Sequence, residues 1–136
     1  RLAAVPAINP DVTILHAQKA DKKGNVLIEG ITGAGREAAL AADKLIVTVE
    51  GIVDDFPPMM NAVVLPHWLV SAVALCPGGA YPSYAQGYYP RDNAFYLQWD
   101  AIARSRDGFL AWMQSHVLQT KDQRGFLQML RTEAQA

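Results

Sequence analysis

The sequence predicts an α/β fold built on a largely parallel sheet, and three observations predict it. Residues 12–15 (VTIL), 45–49 (LIVTV) and 70–75 (VSAVAL) are short apolar runs rich in β-branched residues, the texture of strands buried on both faces. An alanine-rich helical segment, residues 36–43, lies between the first two runs, and a strand-helix-strand order calls for parallel pairing. After Pro90 the apolar period changes: Phe95, Trp99 and Ile102 fall at i, i+4 and i+7, one stripe of a helix.

Taken in order, Pro6 and Pro10 flank a stiff, extended lead-in. The first strand, about residues 12–17, carries His16, which reads as a packed, hydrogen-bonded core histidine. Gln18, Lys19 and Asp21 are expected at its carboxyl end, where ligands of open α/β sheets collect. Asp21-Lys22-Lys23-Gly24-Asn25 is a turn, since Asp bonds the backbone two residues on and Gly and Asn accept positive φ. Val26-Leu27-Ile28 follows as a second strand. Gly30, Gly33 and Gly35 stand in the reverse order of a dinucleotide fingerprint, and no P-loop follows; they read as a loose loop into the alanine-rich helix. Glu50-Gly51 is expected at the end of the 45–49 strand, either as a nucleophile or base or as an exposed strand-end residue before a turn glycine.

Residues 54–66, with Pro57-Pro58, exclude a helix interior or a central strand. Asp54 and Asp55 read as solvated loop charges, since no histidine or cysteine stands near them. Trp68 reads as core, and residues 70–75 as a buried strand running into a loop. That loop, residues 76–90, holds four of the five tyrosines, at 81, 84, 88 and 89, with three glycines and three prolines. Beyond it, Asp92 is an expected N-cap, Asp107-Gly108 restarts the chain into a second helix, and Thr120-Lys121-Asp122-Gln123 reads as a capping box for a third, with Phe126, Leu127 and Leu130 inward. The aromatic stripes read as core or interface.

Composition narrows the function. The chain has 136 residues, 51% of them hydrophobic and 18% charged, with a net charge of -1. The charged share lies below the usual value of about 25%, which suits a mostly buried piece or one covered by a partner. The balance argues against nucleic acid as a partner, and no apolar run approaches the roughly 20 residues of a membrane span. Cys76 is the single cysteine, which fits the cytoplasm. No metal-ligand spacing is present, Ser83 has no base near it in sequence, and no Gly-x-Ser-x-Gly elbow occurs.

Three collinear stretches resemble the alpha subunit of the glutaconate-type family I CoA-transferases. These are the apolar strand entering Ala20-Asp21, two residues, then Gly24-Asn25; the helix-to-strand segment of residues 38–50; and Pro77-Gly78-Gly79-Ala80-Tyr81-Pro82-Ser83 with Gly87-Tyr88-Tyr89 behind it. They span roughly residues 9–100. The resemblance implies a partial NagB/RpiA-like α/β domain at 1–90 with a helical portion at 91–136, together the C-terminal part of an alpha subunit whose other half precedes Arg1.

It also implies a reaction moving CoA between an acyl-CoA thioester and a carboxylic acid, with no bound cofactor. The nucleophilic glutamate is expected from a partner beta subunit, because neither Glu29-Gly30 nor Glu50-Gly51 reproduces the family's Glu-Asn/Ser-Gly setting. Gly51 stands where the family usually has a second acidic residue. Gly78, Gly79, Pro82, Ser83, Gln18 and Glu50 are the candidate CoA- or substrate-binding residues. Two readings of the tyrosine loop stand together: a loop docked by its own aromatics, on this chain or on a partner, and a loop lining the thioester site. CoA-thioester hydrolysis and a non-catalytic interaction module are the competing functions.

Overall fold

The computed structural model describes residues 3–57 and 59–133. The chain falls into two compact units, residues 1–77 and 78–136.

The first unit is a five-stranded sheet in the order β4-β2-β1-β3-β5. Its elements are β1 (Val12–Asp21), β2 (Val26–Glu29), α1 (Gly35–Ala41), β3 (Lys44–Val53), β4 (Ala62–Leu65) and β5 (Ala72–Leu75), with a 3-10 turn at His67–Leu69. β1 pairs parallel with β3, and β3 with β5; β2 pairs antiparallel with both β1 and β4. The α/β class holds, and the sheet is mixed. Only the segments linked through α1 and through the long 54–71 connection have room for parallel crossovers, whereas the β1–β2 turn forces a hairpin.

That turn forms as its residues dictate. Asp21 Oδ1 accepts the backbone N–H groups of Lys23 and Asn25, each at 2.9 Å, and Asn25 Nδ2 donates to Asp21 Oδ2 at 2.6 Å. Gly24 takes φ +91°, where a side chain is disfavoured. Burial works to raise the Asp21 pKa, but these hydrogen bonds outweigh it and hold the carboxyl below its ordinary value. Asn25 Oδ1 accepts the N–H of His67 at 2.8 Å, tying the hairpin to the 3-10 turn.

Several expected boundaries shift. β1 does not end at Ala17 but runs through Gln18 and Lys19 to Asp21, and β3 does not end at Val49 but runs through Glu50 to Val53. Polar side chains interrupt the apolar pattern without interrupting the ladder, which pairs Lys19 with Gly51 and Asp21 with Val53. β4 forms from residues 62–65, at the edge of the sheet, within the 54–66 stretch whose prolines exclude only a central strand. β5 starts at Ala72 and is a mostly exposed edge strand rather than a buried one. Trp68 sits in the 3-10 turn 71% exposed, not in the core. The core cluster holds Val26, Leu45, Val47 and Val49, all fully buried, together with Ala39 of α1, and Leu27 is fully buried outside that cluster. The Thr13 hydroxyl donates to the Ala38 carbonyl at 3.0 Å, holding α1 to β1.

The second unit carries α2 (Asn93–Ala103), α3 (Arg106–Met113), a π turn at Gln114–Leu118, and α4 (Gln123–Glu133). Asp92 caps α2 as expected, accepting Phe95 N–H at 2.9 Å. Ser105 caps α3 by accepting Gly108 N–H at 3.1 Å, so Asp107 and Gly108 lie inside the first turn. The cap of α4 is Asp122, which accepts Gly125 N–H at 2.9 Å, and not Thr120. The Thr120 hydroxyl turns backwards, donating to the His116 and Val117 carbonyls. The aromatic stripes pack on each other: Trp112 meets Trp99 edge-on at 4.9 Å and stacks on His116 at 4.7 Å, and Phe95 stacks on Trp99 at 5.7 Å. Leu127 and Leu130 are buried and Phe126 is half-buried, as the inner face of α4 requires.

Candidate functional site

The candidate residues separate into two groups, one in each unit. In the first unit, parallel register places His16 opposite Thr48, with Glu50 two residues further along β3 on the same face. His16 Nε2 lies 2.7 Å from Glu50 Oε1, and Nδ1 lies 2.8 Å from Thr48 Oγ1. Both ring nitrogens are thus engaged, and the Thr48 hydroxyl also donates to the Leu15 carbonyl at 3.3 Å. The Glu50 side chain is 3% exposed and that of His16 is 16% exposed. His16 is therefore the packed, hydrogen-bonded histidine expected. Glu50 is neither at a strand end nor exposed: it is buried in the middle of β3 with an imidazole against it.

Gln18 is a backbone clamp. Its Oε1 accepts Glu29 N–H at 2.9 Å and its Nε2 donates to the Glu29 carbonyl at 3.3 Å. These bonds lengthen the hairpin by one pairing that the main chain alone does not make.

In the second unit the loop after β5 is ordered by its own residues. Gly78 is buried, with φ +79°. Its carbonyl accepts Tyr81 N–H at 3.1 Å and Gln123 Nε2 at 3.3 Å. A Cβ there would lie 2.5 Å from Leu127 Cδ1, so packing against α4 already requires glycine. Gly79, Pro82 and Ser83 are half-buried on the turn that follows. Ser83 N–H donates to the Ala80 carbonyl at 2.8 Å, and Asp92 N–H to the Pro82 carbonyl at 3.0 Å. The Tyr89 hydroxyl accepts Ala80 N–H at 3.0 Å, so the tip hairpin, closed between Ala85 and Tyr89, is fastened to the glycine turn. Tyr84 and Tyr88 are exposed.

The Tyr81 hydroxyl donates to Asp92 Oδ2. Burial and this carboxylate push the Tyr81 pKa up to about 12, while the Asp92 carboxyl is held below its ordinary value by the Phe95 N–H and by Tyr81. A phenol whose folded pKa is raised contributes stability that is complete below its unfolded value of about 10. That contribution is lost as pH rises through the folded value. We expect Tyr81→Phe to abolish a phenolate absorbance step near pH 12 and to remove this component of the alkaline loss of stability. An unchanged step in the variant would show that another tyrosine carries it.

Sequence reasoning named His16, Glu50, Gly78 and Tyr81 separately and missed their pairings. His16–Glu50 depends on register between two strands, and Gly78–Leu127 on the placement of α4; neither leaves a local signal. Among the described residues no cluster of three or more His, Cys, Asp or Glu could hold a metal, and no helix is long and apolar enough to cross a membrane.

Known proteins share this sequence and this fold. The chain is 61% identical over 122 residues to the alpha-type subunit of the 3-oxoadipate CoA-transferase of Pseudomonas knackmussii, covering 90% of the chain and 43% of that protein. It is 36% identical over 134 residues to the corresponding subunit of the glutaconate CoA-transferase of Acidaminococcus fermentans, covering 96% of the chain and 41% of that protein. The crystal structure of the A. fermentans glutaconate enzyme superposes with a TM-score of 0.82 over 93% of this chain and 40% of that one. A solved decarboxylase, AibA/AibB, matches with a TM-score of 0.68 at 31% identity, over 84% of this chain and 41% of that one. The chain thus spans less than half the length of these relatives. The Coenzyme A transferase family model matches residues 2–75, more than half of the sequence and nearly all of the sheet unit, and the chain belongs to that family.

Proposed function

We propose that this chain is part of the alpha subunit of a CoA-transferase that moves CoA between an acyl-CoA and a small carboxylic acid, the nucleophilic glutamate coming from a partner beta subunit. The observation that carries this reading is the 61% identity, over 90% of the chain, to the alpha-type subunit of a 3-oxoadipate CoA-transferase. 3-Oxoadipate and glutaconate are both dicarboxylic acids, so the acceptor here is a short dicarboxylate. The alpha subunit shapes the pocket; it does not attack the thioester.

Within this reading Gly79, Pro82 and Ser83 contact the thioester substrate. Their support is position: they follow β5, beyond whose carboxyl end ligands of open α/β sheets bind, on a turn held rigid by backbone bonds and by Tyr89. Gly78 is committed to Leu127 and Gln123 in the second unit, and Gln18 and Glu50 are committed to Glu29 and His16 in the first, so each of the three supports the backbone of its own unit.

The test is to produce the full polypeptide containing this chain with the product of the neighbouring gene, and to assay CoA transfer from short acyl-CoA donors to 3-oxoadipate and glutaconate. Borohydride reduction during turnover marks a glutamyl-CoA thioester. We expect the mark in the partner and no activity from this chain alone; a marked glutamate in this chain would sink the reading. The similarity to the decarboxylase AibA/AibB favours one alternative, a decarboxylase on the same scaffold, and carbon dioxide release without acceptor acid identifies it. Hydrolysis would instead release free CoA without acceptor.

Gly79→Val is expected to raise KM or lower kcat of the assembled enzyme by about ten-fold, on the order of 1.4 kcal/mol, while assembly is retained. Normal kinetics in a weakened complex would remove Gly79 from the site.

A further inference from the structure

We propose that an open groove along α4, between Arg124 and Arg131, binds the phosphate groups at the nucleotide end of the CoA thioester. This rests on the reading that the chain serves a CoA-transferase. The groove has a volume of about 380 Å³ and is lined by Arg124, Leu127, Gln128, Arg131 and Thr132. That lining holds two cations and no acid. Arg124, Gln128 and Arg131 stand at i, i+4 and i+7, on one face of the helix. At a rise of about 1.5 Å per residue, the two arginines leave the backbone about 10 Å apart. Such a pair suits a ligand with more than one phosphate, and CoA carries a diphosphate and a separate 3′-phosphate. Arginine is the side chain whose planar fork matches a phosphate with two parallel hydrogen bonds.

The fold does not use these two guanidinium groups. Among the described residues the ion pairs are His16–Glu50, Lys22–Asp54 and Arg104–Asp100. Asp122, two residues before Arg124, is committed to the Gly125 N–H, and Asp92 to the Phe95 N–H and the Tyr81 hydroxyl. Helix stability does not account for Arg124 either. It lies in the first turn of α4, where the helix dipole disfavours a cation and favours an anion. The pairing of cations is local, because the whole chain carries 12 basic residues against 13 acidic ones. The groove also adjoins the turn already assigned to the thioester substrate. Leu127 lines it and packs against Gly78. Arg131 acts electrostatically on the Tyr81 phenol, working against the rise in its pKa. One extended ligand can therefore touch both the groove and the Gly79–Ser83 turn.

The experiment uses the full polypeptide assembled with its partner subunit and two donors, an acyl-CoA and the same acyl-pantetheine, which keeps the thioester and lacks every phosphate. Arg124→Gln/Arg131→Gln is expected to raise KM for the acyl-CoA by about ten-fold, with kcat and the acceptor KM unchanged. On acyl-pantetheine the variant and the unaltered enzyme are expected to match. An unchanged KM for the acyl-CoA would overturn the proposal. An equal loss on both donors would also overturn it, since the arginines would then act through the fold. Both side chains are exposed, so the fold should tolerate their replacement. Each single variant is expected to show part of the rise, which keeps the test open if the double variant fails to assemble. Calorimetric titration with free CoA and with pantetheine separates this proposal from the reading it rests on. No transfer by the unaltered enzyme would sink that reading. CoA bound about ten-fold more weakly by the double variant, with pantetheine bound alike by both proteins, would still support the groove. CoA bound equally by both proteins would overturn it.

Discussion

Gly78→Val is expected to destabilise the second unit by about 2–5 kcal/mol, before any effect on substrate. Two costs combine. A non-glycine residue in the left-handed region costs about 1–2 kcal/mol, and Gly78 sits at φ +79°. The added Cβ would stand 2.5 Å from Leu127 Cδ1, with Cδ2 and Cγ of the same leucine at 3.5 and 3.6 Å. Leu127 is itself buried, so its methyl has little room to retreat, and overpacking of this kind costs about 1–3 kcal/mol. The thermal midpoint should fall by on the order of 10 °C for a unit of this size. Leu127→Ala destabilises alone, through the cavity it leaves. Combined with Gly78→Val it should cost less than the sum of the two, by about 1 kcal/mol or more, because the valine fills the space vacated. Calorimetry of the four proteins checks this. Strict additivity would dismiss the clash, and an unchanged midpoint with lost turnover would move Gly78 into the substrate site. Adjacent glycines are thus expected to fail differently, Gly78 in folding and Gly79 in kinetics.

Glu50→Ala is expected to cost about 3 kcal/mol, and Glu50→Gln about 1. Truncation leaves the His16 Nε2 group beneath the sheet surface without its acceptor and opens a void beside it. Removing one member of a buried pair is the expensive case, whereas a like-sized replacement that still hydrogen-bonds is not. Glutamine keeps an oxygen within reach of the 2.7 Å contact. Because the carboxylate is committed to His16, the assembled Glu50→Gln enzyme should turn over at close to the normal rate. A large loss of kcat in a stable Glu50→Gln complex would mean that the carboxylate meets substrate. An equal midpoint for Glu50→Ala and the unaltered protein would mean that the pair holds nothing.

The same two positions show what was legible beforehand. Gly78 was visible as a loop glycine worth naming, because a Gly-Gly turn after a strand permits close approach of a ligand. Its neighbour Leu127 is 49 positions away and belongs to a helix that the sequence marked only as an inward-facing stripe. Glu50 looked like a strand end because the apolar run stops at Val49. The ladder continues to Val53, since backbone pairing with β1 takes no account of side-chain polarity. Trp68 was misplaced for the opposite reason: large apolar residues are usually buried, but the residues around it form a 3-10 turn that points it to solvent.

By itself the sequence determined the local chemistry: the Asp21 turn, the strands at 12–15 and 45–49, the Asp92 cap, the aromatic stripes, and the family, through three collinear stretches. All of these rest on residues close together in the chain, where spacing alone sets which groups meet. Tertiary structure decided the mixed pairing of the sheet, the extension of β1 and β3, the His16–Glu50 contact, and the burial of Gly78 on α4. Each depends on the register or packing of segments tens of residues apart, and a one-residue slip would send every side chain to the other face. Only the folded chain sets that offset.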